Sequence, residues 1–120
     1  MNWLAWIIVG TGIVGFLALK RLALLDSTAA HDYLKKGAKV VDARSEQEFQ
    51  QDHLPRAINI PLGRLKEEID RQVPDKDQAV LLHCLSGGRS SIGKAILKRM
   101  GYRNAFNLGS LGRARRILGA

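Results

Sequence analysis

The sequence predicts an α/β fold, a three-layer sandwich on a mainly parallel sheet, preceded by one N-terminal transmembrane helix. Three observations carry that reading. After residue 26, short apolar runs alternate with amphipathic stretches, the order expected when strands and helices take turns along a parallel sheet. Ala79-Val80-Leu81-Leu82 is apolar without interruption, as suits a strand covered on both faces. Trp3 to Leu19 carries no charge at all.

The uncharged run, read as a helix, spans about 26 Å at 1.5 Å per residue, close to the hydrocarbon thickness of a bilayer. Lys20 and Arg21 follow it and can snorkel, which extends the usable length toward Leu25. Trp3 and Trp6 sit at the other end, where aromatic rings favour the interface. A secretory signal peptide has its positive charge before the apolar run and a small-residue cleavage site after it. Here the charge follows the run, and Ser27-Thr28-Ala29 is a poor cleavage site. Residues 1–25 are therefore expected to be a single-pass anchor. The Lys20-Arg21 pair places the C-terminal side in the cytoplasm. Gly10 to Gly15 matches the G-x-G-x-x-G dinucleotide pattern, but no βαβ unit surrounds it. Close helix packing through Thr11 and Gly15 is the better reading.

Residues 26–120 make one domain. Asp26 and Ser27 cap a helix through Lys36, and Gly37 stops it. Lys39 to Ala43 is a short strand. Ser45-Glu46-Gln47-Glu48 fits a capping box for a helix ending near Asp52. Ala57 to Ile60 is a second apolar run, closed by Pro61. Leu62, Leu65 and Ile69 recur at helical spacing, so Gly63 to Gln72 reads as an amphipathic helix. Pro74 to Asp77 is a turn. The strand at Ala79 follows, then a loop from Cys84 to Ser90, a helix from Ser91 to Met100 ended by Gly101, a strand at Ala105 to Leu108, and a helix at Leu111 to Leu118.

Charge narrows the partners. The net charge is +8, and all eleven acidic residues lie between Asp26 and Asp77. Beyond them the chain is basic only, a field that favours a small oxyanion, an anionic leaflet or an acidic protein. No nucleic-acid partner is expected, because no aromatic-interleaved basic ribbon or reading motif is present. The single cysteine, Cys84, excludes an intramolecular disulfide and a two-cysteine redox centre within one chain. His31, His53, His83 and Cys84 show no metal-ligand spacing, so neither metal nor cofactor is expected.

The chemistry concentrates in Cys84-Leu85-Ser86-Gly87-Gly88-Arg89-Ser90, between a buried strand and a helix. Ligands of α/β folds bind at the carboxyl ends of parallel strands. Small residues let the backbone curl so that N–H groups point inward, and the helix adds its positive N-terminal end. Arg89 adds a guanidinium. Together these lower the thiol pKa of Cys84 and suit a persulfide anion or a small oxyanion. His83 precedes Cys84 on the strand and therefore points away from it. His53 reads as structural and His31 as exposed. Asp42 and Arg44 read as a buried pair holding the loops, with substrate contact by Arg44 left open. Arg113, Arg115 and Arg116 form either a solvated face or a contact to anionic lipid.

Cys84-x-Ser86-Gly87-x-Arg89-Ser90 resembles the active-site loop of the rhodanese family. Val41-Asp42-Ala43-Arg44 with Glu48-Phe49, then His53-Leu54-Pro55-x-Ala57-Ile58-Asn59-Ile60-Pro61, is similar to that family's first signature. Gly101 to Gly109 is similar to its closing segment. The resemblance covers about residues 26–118. It implies sulfane sulfur transfer from an anionic donor such as thiosulfate, or from a persulfide, to a thiophilic acceptor such as a protein thiol. Cys84 is then the nucleophile and persulfide carrier. Leu85, Ser86, Gly87, Gly88, Arg89 and Ser90 form the substrate-binding loop, with Arg89 on the donor. Phosphatases with related cradles place five residues between cysteine and arginine, whereas four separate Cys84 from Arg89, a tighter cradle suited to one sulfur atom. The alternative is a rhodanese-fold interaction module at the membrane without turnover.

Overall fold

The computed structural model describes residues 2–22 and 24–119, with the side chains of residues 16–22 outside the described set. Four strands form one parallel sheet: β1 (Lys39–Asp42), β2 (Ala57–Asn59), β3 (Val80–His83) and β4 (Ala105–Gly109), in the order β2-β1-β3-β4. Helices α2 (Ser27–Lys35) and α6 (Leu111–Leu118) accompany one face. Helices α4 (Leu65–Gln72) and α5 (Gly88–Arg99) cover the other, and short α3 (Glu46–Gln51) follows β1. A 3-10 turn, Leu62–Arg64, leads into α4.

Neighbouring strand residues go to opposite layers, so each strand must be apolar on both sides. Val41, Val80 and Leu82 join Leu65, Ile69, Leu97 and Tyr102 in one core. Val40, Leu81 and Leu108 join Ala30, Leu54, Ala114 and Ile117 in the other. At the carboxyl end of β3 the same alternation separates Cys84 from His83. Buried Tyr102 still satisfies its hydroxyl, which donates to the Val73 carbonyl at 2.6 Å.

The chain leaves β1 toward β2 on one side and later leaves β3 toward β4 on the other. The switch point therefore lies between β1 and β3, where an open α/β sheet offers its ligand crevice. Arg44 and Cys84 stand just beyond those two strand ends.

Two expectations are revised. The helix expected at Ser91 starts at Gly88, because Gly87, with φ +96°, turns the chain into it two residues after Leu85. Arg89 and Ser90 thus belong to its first turn, not to the preceding loop. The second concerns α1 (Trp3–Leu22), which forms a helix as expected. Among the described residues, however, no helix is long and apolar enough to cross a membrane, so the transmembrane anchor over residues 1–25 is not shown. The side chains described in α1 end at Gly15, since those of residues 16–22 lie outside the described set. Lys20 and Arg21, on which the expected orientation rests, have side chains outside the described residues.

The segment after α1 is tied to the sheet. The Leu25 N–H donates to the Asn107 carbonyl at 2.9 Å, which covers the outer edge of β4. Arg113 locks this joint, donating to the carbonyls of Leu108 at 2.7 Å and Leu25 at 2.5 Å.

Candidate active site

Cys84 is fully buried at the end of β3, and its own N–H donates to the Gly109 carbonyl at 3.2 Å. That bond holds the strand end against β4 while the chain turns through Leu85, Ser86 and Gly87. The turn needs glycine at Gly87 for two reasons. Its φ of +96° is strained for any residue with a Cβ, and a Cβ there would lie 3.3 Å from the Gly109 Cα. The result brings the Gly87 N–H to 3.0 Å from the Cys84 Sγ, with the Ser90 hydroxyl at 3.5 Å.

Burial acts most strongly on the Cys84 thiol and by itself raises its pKa. Hydrogen bonds from the Ser90 hydroxyl and from the N–H groups of Ser90, Gly87 and Ser86 together outweigh burial and hold the thiol below its ordinary value. A thiolate is therefore stabilised by donors fixed in the backbone, which need no rearrangement when charge appears.

Asn107 braces the loop from β4. Its Oδ1 accepts from the Ser90 hydroxyl at 2.7 Å and from the Gly109 N–H at 2.8 Å, and its Nδ2 donates to the Gly87 carbonyl at 3.2 Å. One buried side chain thus fixes three parts of the cradle. A short antiparallel bridge between Ser86 and Ser110 and a bond from the Leu111 N–H to the Leu85 carbonyl at 3.2 Å complete the frame.

Arg89 stands at the mouth, and its partner is Glu48. The guanidinium grips both carboxylate oxygens, at 2.6 and 2.9 Å. Glu48 is held in turn by the capping box with Ser45. The hydrogen bond from Arg89 is the largest of the influences that lower the Glu48 carboxyl to about 2. The Arg89 guanidinium is raised, first by Glu48 and also by Cys84.

Leu85 and Ser86 are exposed at the rim, Gly87 and Arg89 half-buried, Gly88 exposed, and Ser90 buried. Of the residues expected to form the loop, Ser86, Gly87 and Ser90 bring donors to the Cys84 sulfur, and the duties of the others differ. Ser90 serves the sulfur directly, and Leu85 offers an apolar surface. Glu48 and Asn107 were not expected here. Glu48 is visible in the sequence as a capping residue and within the first signature, and Asn107 as part of the closing segment.

Asp42 and Arg44 form the buried pair expected. The guanidinium bonds both Asp42 oxygens, at 2.8 to 3.1 Å, and donates to the Asp52 carbonyl at 2.6 Å. Arg44 is 3% exposed and holds the loop after β1. His83 lies on the opposite side of the sheet from the Cys84 side chain, with Nε2 3.9 Å from Asp42. Burial depresses the pKa of its imidazole. His53 bonds the Phe49 carbonyl at 2.7 Å and stacks on the Phe49 ring, a structural duty. His31 is exposed and reaches the Ile117 carbonyl at 2.6 Å. Of the C-terminal arginines, Arg113 is engaged within the fold and Arg115 pairs with Asp52 at 2.8 Å. Among the described residues, no cluster of acidic, histidine and cysteine side chains has the arrangement to hold a metal ion.

The chain is similar to known proteins along most of its length. A family model described as a rhodanese-like domain matches residues 26–110. The chain is 39% identical over 97 residues to the thiosulfate sulfurtransferase PspE of Escherichia coli (strain K12), covering 81% of this chain and 86% of that one. A solved structure titled rhodanese with anions from E. coli is 40% identical, with a TM-score of 0.62 over 64% of this chain and 91% of that one. The human single-domain sulfurtransferase TSTD1 shares the fold at 24% identity, with a TM-score of 0.63 over 81% of this chain and 96% of that one.

Proposed function

The chain belongs to the rhodanese-like domain family, and from that membership we propose that it is a sulfurtransferase working through a persulfide on Cys84. The observation that carries the proposal is the set of donors converging on Sγ, led by the Gly87 N–H at 3.0 Å. With thiosulfate as donor, the Cys84 thiolate attacks the sulfane sulfur. The Sγ–S bond forms, the S–S bond of the donor breaks, and its electron pair leaves on sulfite. The outer sulfur of Cys84-S–S⁻ then carries the charge beside the N–H groups that faced the thiolate. A thiophilic acceptor, a protein thiol or cyanide, attacks that outer sulfur and returns Cys84 to thiolate. Because the donors are preset, most of the cost of stabilising the anion is met by folding.

Intact mass after incubation with thiosulfate tests this. A gain of one sulfur atom in the full chain, absent in Cys84→Ala and reversed by cyanide, is the expected outcome. A folded protein with a free thiol and no gain, from thiosulfate or from a small persulfide, would leave an interaction module in its place.

The site of action proposed is a membrane, with the domain facing the cytoplasm. The support is the uncharged run from Trp3 to Leu19 and the apolar side chains α1 exposes, among them Trp3, Leu4, Ile8 and Val14. Each of these four is half exposed or more, which leaves apolar surface for lipid. Retention in the pellet after alkaline carbonate extraction, with the domain protected from protease in right-side-out vesicles, is expected. Digestion in those vesicles would overturn the orientation, and release by carbonate the anchoring.

A further inference from the structure

Arg89 is the only cation in the first turn of α5, yet its charge is already engaged. Glu48 holds the two terminal guanidinium nitrogens with both carboxylate oxygens, and each partner keeps about a third of its side-chain surface exposed, at 38% and 31%. The pair bridges α3 and the cradle across 41 residues of chain. Counting unit charges at the mouth gives one negative on the Cys84 thiolate, one positive on Arg89 and one negative on Glu48. A donor thus meets a net negative opening, and it reaches the guanidinium fork only by displacing a carboxylate that is itself held by Ser45.

We propose that Glu48 is a specificity-determining residue that acts through Arg89, selecting against small dianionic donors in favour of sulfane sulfur on an organic persulfide. The inference rests on the sulfurtransferase reading above. In the favoured step, Cys84 Sγ bonds to the outer sulfur of R–S–SH. The donor S–S bond breaks, and its electron pair goes to the inner sulfur, which takes up the donor's proton and departs as R–SH. No second negative charge is brought to the mouth. The thiosulfate step, by contrast, brings a dianion toward two negative groups and releases another. Coulomb repulsion from one added unit charge within a Debye length, screened as at a half-exposed surface, changes a rate by about tenfold for a dianion and a few fold for a monoanion.

Glu48→Gln in the full chain is the test. Glutamine keeps an acceptor for the capping box, so α3 persists while the charge is removed. Glu46→Gln is the control, since Glu46 shares the helix but pairs with Arg64. Two readouts are needed. The first is the ratio of Cys84 alkylation rates by iodoacetate and iodoacetamide, which reports charge at the mouth whether or not sulfur is ever transferred. This ratio should rise about fourfold in Glu48→Gln and change by less than twofold in Glu46→Gln. The second is the single-turnover loading rate from thiosulfate, expected to rise about tenfold in Glu48→Gln while loading from a small alkyl persulfide changes by less than twofold. An unchanged alkylation ratio in Glu48→Gln, or equal changes in both variants, overturns the proposal. So does an equal fall in loading from both donors, the mark of a merely structural role. Absence of loading in the wild-type chain refutes the enzyme reading instead, and the alkylation ratio still decides what Glu48 does to charge at the mouth.

Discussion

Ser90→Ala isolates one term in the activation of Cys84. The Ser90 hydroxyl has a single proton and two acceptors in reach, Asn107 Oδ1 at 2.7 Å and Cys84 Sγ at 3.5 Å. While Cys84 is a neutral thiol, the shorter contact holds the proton. When the sulfur ionises, a charged acceptor competes for it, and the hydroxyl turns toward Sγ. Deleting the hydroxyl therefore costs little in the thiol state. Asn107 Oδ1 still accepts the Gly109 N–H at 2.8 Å, so no buried group is orphaned, and the stability loss should be about 1 kcal/mol. The thiolate loses the Ser90 hydroxyl, the strongest of the donors that hold its pKa down, while the N–H groups of Gly87, Ser86 and Ser90 remain. A long hydrogen bond to a charged acceptor, discounted for the competing partner, is worth about 1 kcal/mol to the ionised form. That makes the alkylation of Cys84 by iodoacetamide about fivefold slower at any pH where the thiol dominates, with the rate restored in alkali. The assay is the pH–rate profile of alkylation followed by intact mass, with far-UV circular dichroism to confirm the fold. A profile superimposable on the wild type, in a folded variant, would refute the view that Ser90 tunes the sulfur. A loss of several kcal/mol in stability would refute the account of Asn107 as still satisfied.

Three further outcomes follow from the same contacts. Gly87→Ala places a Cβ at φ +96° and 3.3 Å from the Gly109 backbone, so stability should fall by about 1–2 kcal/mol and persulfide loading should drop more than tenfold as the N–H leaves Sγ; denaturant melts and intact mass measure the two. Asp42→Asn leaves the Arg44 guanidinium buried against a neutral partner, and chemical denaturation should show a loss of about 3 kcal/mol, more than any exposed pair would give. Glu48 contributes to the pH profile of stability: its carboxyl is lowered from 4.5 to about 2 by Arg89, so its contribution is full above about 4.5 and is lost as pH falls through about 2. Melting temperatures of wild type and Glu48→Gln should therefore converge across that window, and a constant gap down to pH 2 would contradict the pairing.

The sequence by itself determined the layered α/β order, the cysteine and the turn that follows it. Ala79 to Leu82 announces a buried strand because both faces of a parallel strand must be apolar. Gly87 and Gly88 announce a tight entry to a helix because only residues without a Cβ permit it cheaply. These are local constraints, set by neighbours within a few residues. The start of α5 at Gly88 was harder to read, since glycine argues against helix and only the positive φ at Gly87 shows that the turn is already complete. Tertiary structure decided what lies across the chain. Arg89 meets Glu48, 41 residues earlier, and Ser90 meets Asn107, 17 residues later. Arg113 reaches back to Leu25, 88 residues away, and is thereby engaged in the fold. Asp42 and Arg44 are neighbours in sequence, but only their burial at the end of β1 shows that Arg44 turns inward to the Asp52 carbonyl. Such pairings depend on which strands lie side by side, and the order β2-β1-β3-β4 is set by the packing of whole layers, a property no short stretch of sequence carries.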